Sequence, residues 1–72
     1  METYYIAELQ NEYSYRKAFI INAKSLTHAK KLATKAQVFC GTVLEIGLSV
    51  NESGFITNPI CHKVGGVWSD LD

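Results

Sequence analysis

The sequence predicts a single α+β domain over residues 1–72: an antiparallel four- to five-stranded sheet with one α-helix packed on one face, in the order β-β-α-β-β-(β). Two observations carry this. Residues 25–37 form the one stretch whose apolar residues recur at three- and four-residue steps, whereas the segments on either side alternate with period two. Turn-forming residues then separate the alternating segments, at 11–14, 51–54 and 65–66.

Residues 3–10 read as the first strand, with Tyr5, Ala7 and Leu9 on one face and Tyr4, Ile6 and Glu8 on the other. Residues 11–14 are polar and turn-like, so residues 16–23 return as a hairpin partner with Phe19, Ile21 and Ala23 toward the core. Ser25 is the N-cap of a helix spanning roughly Leu26 to Ala36, because its hydroxyl can accept from a free N–H of the first turn. Leu26, Ala29, Ala33 and Ala36 make the apolar stripe, with Leu32 on its flank. His28, Lys31 and Lys35 lie opposite, and Lys30 projects between the two sides. The helix stops near Gln37, where Val38 and Phe39 break the pattern and Gly41 permits a turn.

Residues 42–50 are the clearest strand: Leu44, Ile46, Leu48 and Val50 form an apolar side that must meet the helix. After the 51–54 turn, residues 55–63 return as a fourth strand, for which Pro59 suggests a sheet edge because proline cannot donate to a ladder. Gly65 and Gly66 make a tight turn, and Trp68 begins a short last strand. A helix of roughly twelve residues is marginal alone in water and depends on the sheet. Burial of Leu26 and Leu32 supplies about 1.5–3 kcal/mol each.

A chain of 72 residues buries only about 60% of its unfolded surface, so the core is thin. An apolar fraction of 47% nonetheless excludes a disordered chain. No apolar run approaches a membrane span of about 20 residues, and the first residues lack the basic start and apolar core of a signal peptide. Two cysteines in dissimilar contexts predict no disulfide framework and a cytoplasmic location. The formal net charge is zero but segregated: no acid occurs between Glu12 and Glu45, where Arg16, Lys17, Lys24, Lys30, Lys31 and Lys35 all fall. Such a positive face points toward a negative partner.

No catalytic constellation is visible. Cys40, Cys61, His28 and His62 are zinc-ligand types without a paired Cys-x-x-Cys, and no third group orients a Cys–His nucleophile. The carboxylates are scattered, and Gly65-Gly66 lacks the helix and lysine of a phosphate loop. The expectation is a protein that is not an enzyme, with no cofactor, no metal and no small-molecule substrate. Binding remains: Lys30, Lys31 and Lys35, with Lys24 at the helix start, suit a phosphate backbone or an acidic protein groove. A pI of 6.7 and the lack of interleaved aromatic and basic strand residues count against a dedicated nucleic-acid binder.

The run Ser25-Leu26-x-x-Ala29-Lys30-Lys31-Leu32-Ala33-x-Lys35-x-Gln37-x-Phe39-x-Gly41-Thr42-Val43, followed by Ile46, resembles the ninth-numbered family of type I-F anti-CRISPR proteins. Tyr5, Ile6 and the Gln10-Asn11 pair extend the similarity over residues 4–46, with Trp68 and Asp70 beyond it. The resemblance implies a small, non-catalytic, phage-encoded inhibitor. It would bind the backbone subunit of a crRNA-guided surveillance complex (Csy/Cascade) in the host cytoplasm and block hybridisation with target DNA. It also implies that the family's contacts fall here on Lys30, Lys31, Lys35 and Gln37; Lys24 and His28 adjoin them on the helix. The family is associated with provoking nonspecific binding of duplex DNA through basic residues just before the tryptophan. Here that position reads Val64-Gly65-Gly66-Val67, so this activity is in doubt. The competing expectation is a small nucleic-acid-binding accessory protein that places the same lysines directly on DNA or RNA. A mere solvated helix face is the third.

Overall fold

The computed structural model describes residues 2–11 and 17–71. Its elements are β1 (Glu2–Leu9), β2 (Phe19–Ala23), α1 (Leu26–Ala36), β3 (Val43–Gly47), β4 (Pro59–Val64) and β5 (Val67–Asp70). They form one antiparallel sheet in the order β2-β1-β3-β4-β5, with α1 as its only helix among the described residues. This is the α+β class and element order that the periodicities predict. Because β2 and β3 both pair antiparallel to β1, they run parallel to each other, and α1 is the crossover between them.

Ser25 is in extended conformation, and its Oγ accepts from the His28 N–H at 3.2 Å, which gives the helix a defined start. At Gln37 the backbone turns extended (ψ 123) and the helix ends. Ala29 and Ala33 are fully buried, and their small side chains let the helix lie close over Tyr4, Ile6, Ala23, Leu44, Ile46 and Cys61. Leu26 and Leu32 pack at the margin of this layer. Ala36 departs from the expected stripe: it is the last helical residue and remains exposed.

The opposite face of the sheet is also covered. Ala7, Leu9 and Val43 are buried there beneath Ala18, Ile56 and Val64. β1 therefore buries consecutive residues, Ile6 toward the helix and Ala7 away from it. Gly47 makes the second layer possible: a Cβ at this position would overlap Ile56 Cγ2 and lie 3.5 Å from Ile56 Cβ.

Several boundaries differ from expectation. β3 ends at Gly47, where the β3–β4 register shifts, so Leu48 lies outside the strand and is 58% exposed. Val50 makes only an isolated bridge to Ile56. Pro59 does not mark an edge, because β4 lies between β3 and β5. It opens the strand at the register shift, where no ladder donor is required. The true edges are β2 and β5. β2 begins at Phe19, which is 42% exposed at the margin of the sheet. The expected turn over 11–14 and the expected strand start at Arg16 fall largely outside the described residues. Gly65 and Gly66 both have positive φ (60 and 81), the backbone that a two-residue hairpin loop requires.

Candidate functional site: the outward face of the helix and its exit

The side of α1 turned away from the sheet carries Lys31 and Lys35, one turn apart and both exposed. Residues at this spacing have Cβ atoms about 5–6 Å apart, so the two ammonium groups add to one local positive potential. Neither forms a hydrogen bond or ion pair with any described residue. Lys24, just before the cap, is exposed as well. Lys30 is different. Its Nζ lies 3.4 Å from Asp70 Oδ1 and 6.0 Å from the centre of the Trp68 ring, both on β5. Its charge is therefore partly answered within the chain, and its side chain is only 25% exposed. A shallow depression lined by Thr27, Lys30, Lys31, Thr34, Lys35 and Trp68 joins the lysines to that ring.

His28 is half-buried and belongs to the helix start: its Nδ1 accepts from the Lys24 N–H at 3.1 Å. Gln37 is held at both ends of its amide. Its Oε1 accepts from Lys63 Nζ at 3.1 Å, and its Nε2 donates to Thr42 Oγ1 at 2.9 Å. The Thr42 hydroxyl in turn lies 2.8 Å from Glu8 Oε2, to which it donates. The same Glu8 carboxylate accepts the backbone N–H of Val38 at 2.9 Å and of Phe39 at 3.0 Å. Burial pushes the Glu8 carboxyl up, but the two amides and the hydroxyl outweigh it and hold it below the ordinary carboxylate range. Around this anchor Val38 and Phe39 stand out into solvent, 74% and 68% exposed. Sequence reasoning missed Glu8, whose partners lie 30 to 34 residues further along the chain. Its only signal was a lone carboxylate on an otherwise apolar strand face.

No protein-family model matches the sequence, and no curated protein does. Among solved structures, AcrIF9 superposes with a TM-score of 0.76 at 37% sequence identity, over 97% of this chain and 86% of that one. The chain belongs to the AcrIF9 family. It is thus a type I-F anti-CRISPR inhibitor, as the residue pattern around α1 leads one to expect.

Other chemistry-bearing residues of this AcrIF9-family chain are dispersed. Cys40 is exposed, Cys61 is buried beneath the helix, and both are free thiols. Burial pushes the Cys61 thiol up despite the nearby Lys30, the reverse of what a nucleophile needs. Among the described residues no group of three His, Cys, Asp or Glu side chains could hold a metal ion. Glu45 lies on the opposite face of the sheet beside His62; burial raises its carboxyl, with the imidazole pulling weakly the other way. No helix among the described residues is long and apolar enough to cross a membrane.

Proposed function

We propose that this AcrIF9-family protein inhibits without catalysis, by seating the outward face of α1 on the backbone subunit of a type I crRNA-guided surveillance complex. Bound along the guide, it blocks pairing with target DNA by occupying space and by engaging acidic groups of that subunit. The observation that carries the reading is the pair Lys31 and Lys35: exposed, one turn apart, and without an ionic partner among the described residues. Lys24, exposed just before the helix, adds positive charge at its start, and Lys30 serves the face less because Asp70 competes for its charge. His28 supports the face by fixing the helix start, and Gln37 by fixing its exit.

The test measures affinity for purified surveillance complex and hybridisation of target DNA with the wild type and with Lys31→Glu/Lys35→Glu. Loss of both activities in a variant that melts normally supports the reading; retained inhibition refutes it. The Trp68 ring beside the lysines makes direct nucleic-acid binding the reading to separate from it. Binding to free DNA or RNA that falls steeply and sequence-independently with salt would establish that alternative. Nonspecific duplex binding is disfavoured in this chain, since Lys30, over the Trp68 ring, and Lys63, its register partner on β4, are engaged by Asp70 and Gln37.

A further inference from the structure

We infer that Glu8 is a positioning residue of the inhibitor's binding face, holding the helix-exit loop so that Val38 and Phe39 are presented beside the lysines of α1. The inference rests on the proposed seating of α1 and extends it to a second, apolar part of the contact. A loop with two large exposed apolar side chains and no ladder of its own would ordinarily move. Here one carboxylate takes two successive backbone N–H groups, at 2.9 and 3.0 Å, which fixes the orientation of the peptide plane between Val38 and Phe39. The Thr42 hydroxyl at 2.8 Å steadies that carboxylate, and the Gln37 amide links the hydroxyl to Lys63 on β4. Two strands, β1 and β4, together with Thr42 just before β3, thereby hold one loop tip.

The tip adjoins the charged side of the helix. Lys35 precedes Gln37 by two residues, and a shallow depression lined by Thr34, Gln37, Phe39 and Lys63 joins the last helical turn to the loop. Phe39 has little conformational freedom to lose once its backbone is fixed, which suits an anchor side chain. The partner this surface fits is an acidic protein groove with an apolar recess about one helical turn beyond its carboxylates. The strictly structural reading, in which Glu8 only stabilises the fold, predicts a different pattern of energetic coupling.

The experiment is a double-mutant cycle on affinity for the purified surveillance complex, with amide exchange measured in parallel on the free inhibitor. Glu8→Gln should speed exchange of the Val38 and Phe39 amides by about tenfold while leaving Ile46 in the core unchanged. Glu8→Gln and Phe39→Ala should each weaken binding by about tenfold, and the double variant should lose much less than the product of the two. Thr42→Val keeps the side-chain shape, removes one bond from the carboxylate, and should give a smaller loss of the same kind. It tests the same coupling if Glu8→Gln proves too unstable to purify. Wild-type binding by Phe39→Ala, multiplicative losses, or faster exchange across the whole sheet would overturn the inference. Lys31→Glu separates the two proposals. If it loses binding while Phe39→Ala and Glu8→Gln do not, only the positioning role fails. If it also binds like wild type, the seating of α1 fails and the inference falls with it.

Discussion

Substitution of Gly47 by alanine isolates the second layer of the core from the helix layer. The added Cβ would overlap Ile56 Cγ2 and sit 3.5 Å from both Ile56 Cβ and the Asn58 carbonyl oxygen. Cγ2 is bonded directly to the branched Cβ of Ile56, whose rotamer choices are few, so the side chain cannot swing aside cheaply. The chain at residue 56 must instead lift from the sheet, loosening its cover over Ala7, Leu9 and Val43. Overpacking of this kind costs about 1–3 kcal/mol. For a domain of this size each kcal/mol lowers the melting temperature by roughly 4–8 °C. Thermal melts followed by circular dichroism should therefore show a drop of about 4–24 °C for Gly47→Ala. Ile56→Ala removes the clashing methyl, so the double variant should be more stable than the sum of the single losses implies. Affinity for the partner should not change, since this layer lies on the face of the sheet opposite α1. A melt within 1–2 °C of wild type, or strict additivity of the pair, would refute the packing argument.

Four further outcomes follow from other parts of the structure. Lys31→Glu/Lys35→Glu should move stability by only about ±0.5 kcal/mol while costing several kcal/mol of partner binding, read by melting and by titration calorimetry. Ala33→Leu should lower stability by roughly 1–3 kcal/mol, because Ala33 has no exposed surface between the helix and the sheet; a denaturant titration checks it. Glu8 has its carboxyl held below the ordinary range, so its stabilising effect should be full above that range and vanish as pH falls through the lowered folded value. The gap in melting temperature between wild type and Glu8→Gln should accordingly be open at neutral pH and closed in strong acid. Glu45 has the opposite sign: burial disfavours its charge, so Glu45→Gln should raise the melting temperature at neutral pH, with a benefit that shrinks as pH falls through the raised folded value.

What could be read from the sequence was what local spacing encodes. The helix bounds, its Ser25 cap, the Leu44 and Ile46 core positions and the Gly65-Gly66 turn all rest on neighbours within a few residues, and the structure has each of them. The edge assigned to Pro59 failed because proline reports only a missing donor, and a strand's first residue beside a register shift also needs none. Leu48 failed because alternation cannot indicate where a strand stops being covered. The second core layer rests on Gly47, whose meaning depends on Ile56 arriving from beyond the 51–54 turn. At the candidate site, the positions of Lys31 and Lys35 on the outward side followed from helical angle alone. The pairing of Lys30 with Asp70, and the Glu8 contacts, join residues 30 or more apart in the chain, for which spacing carries no information.

The division of labour along α1 has an evolutionary consequence. The core asks of this helix little more than Ala29 and Ala33, with Leu26 and Leu32 at the margins. Thr27, Lys31, Thr34 and Lys35, all exposed, can change without disturbing a packed contact. An inhibitor whose host can escape by altering a few surface residues gains from such a helix. Each countermove is a single substitution on a scaffold that still folds, so adaptation need not pass through an unstable intermediate.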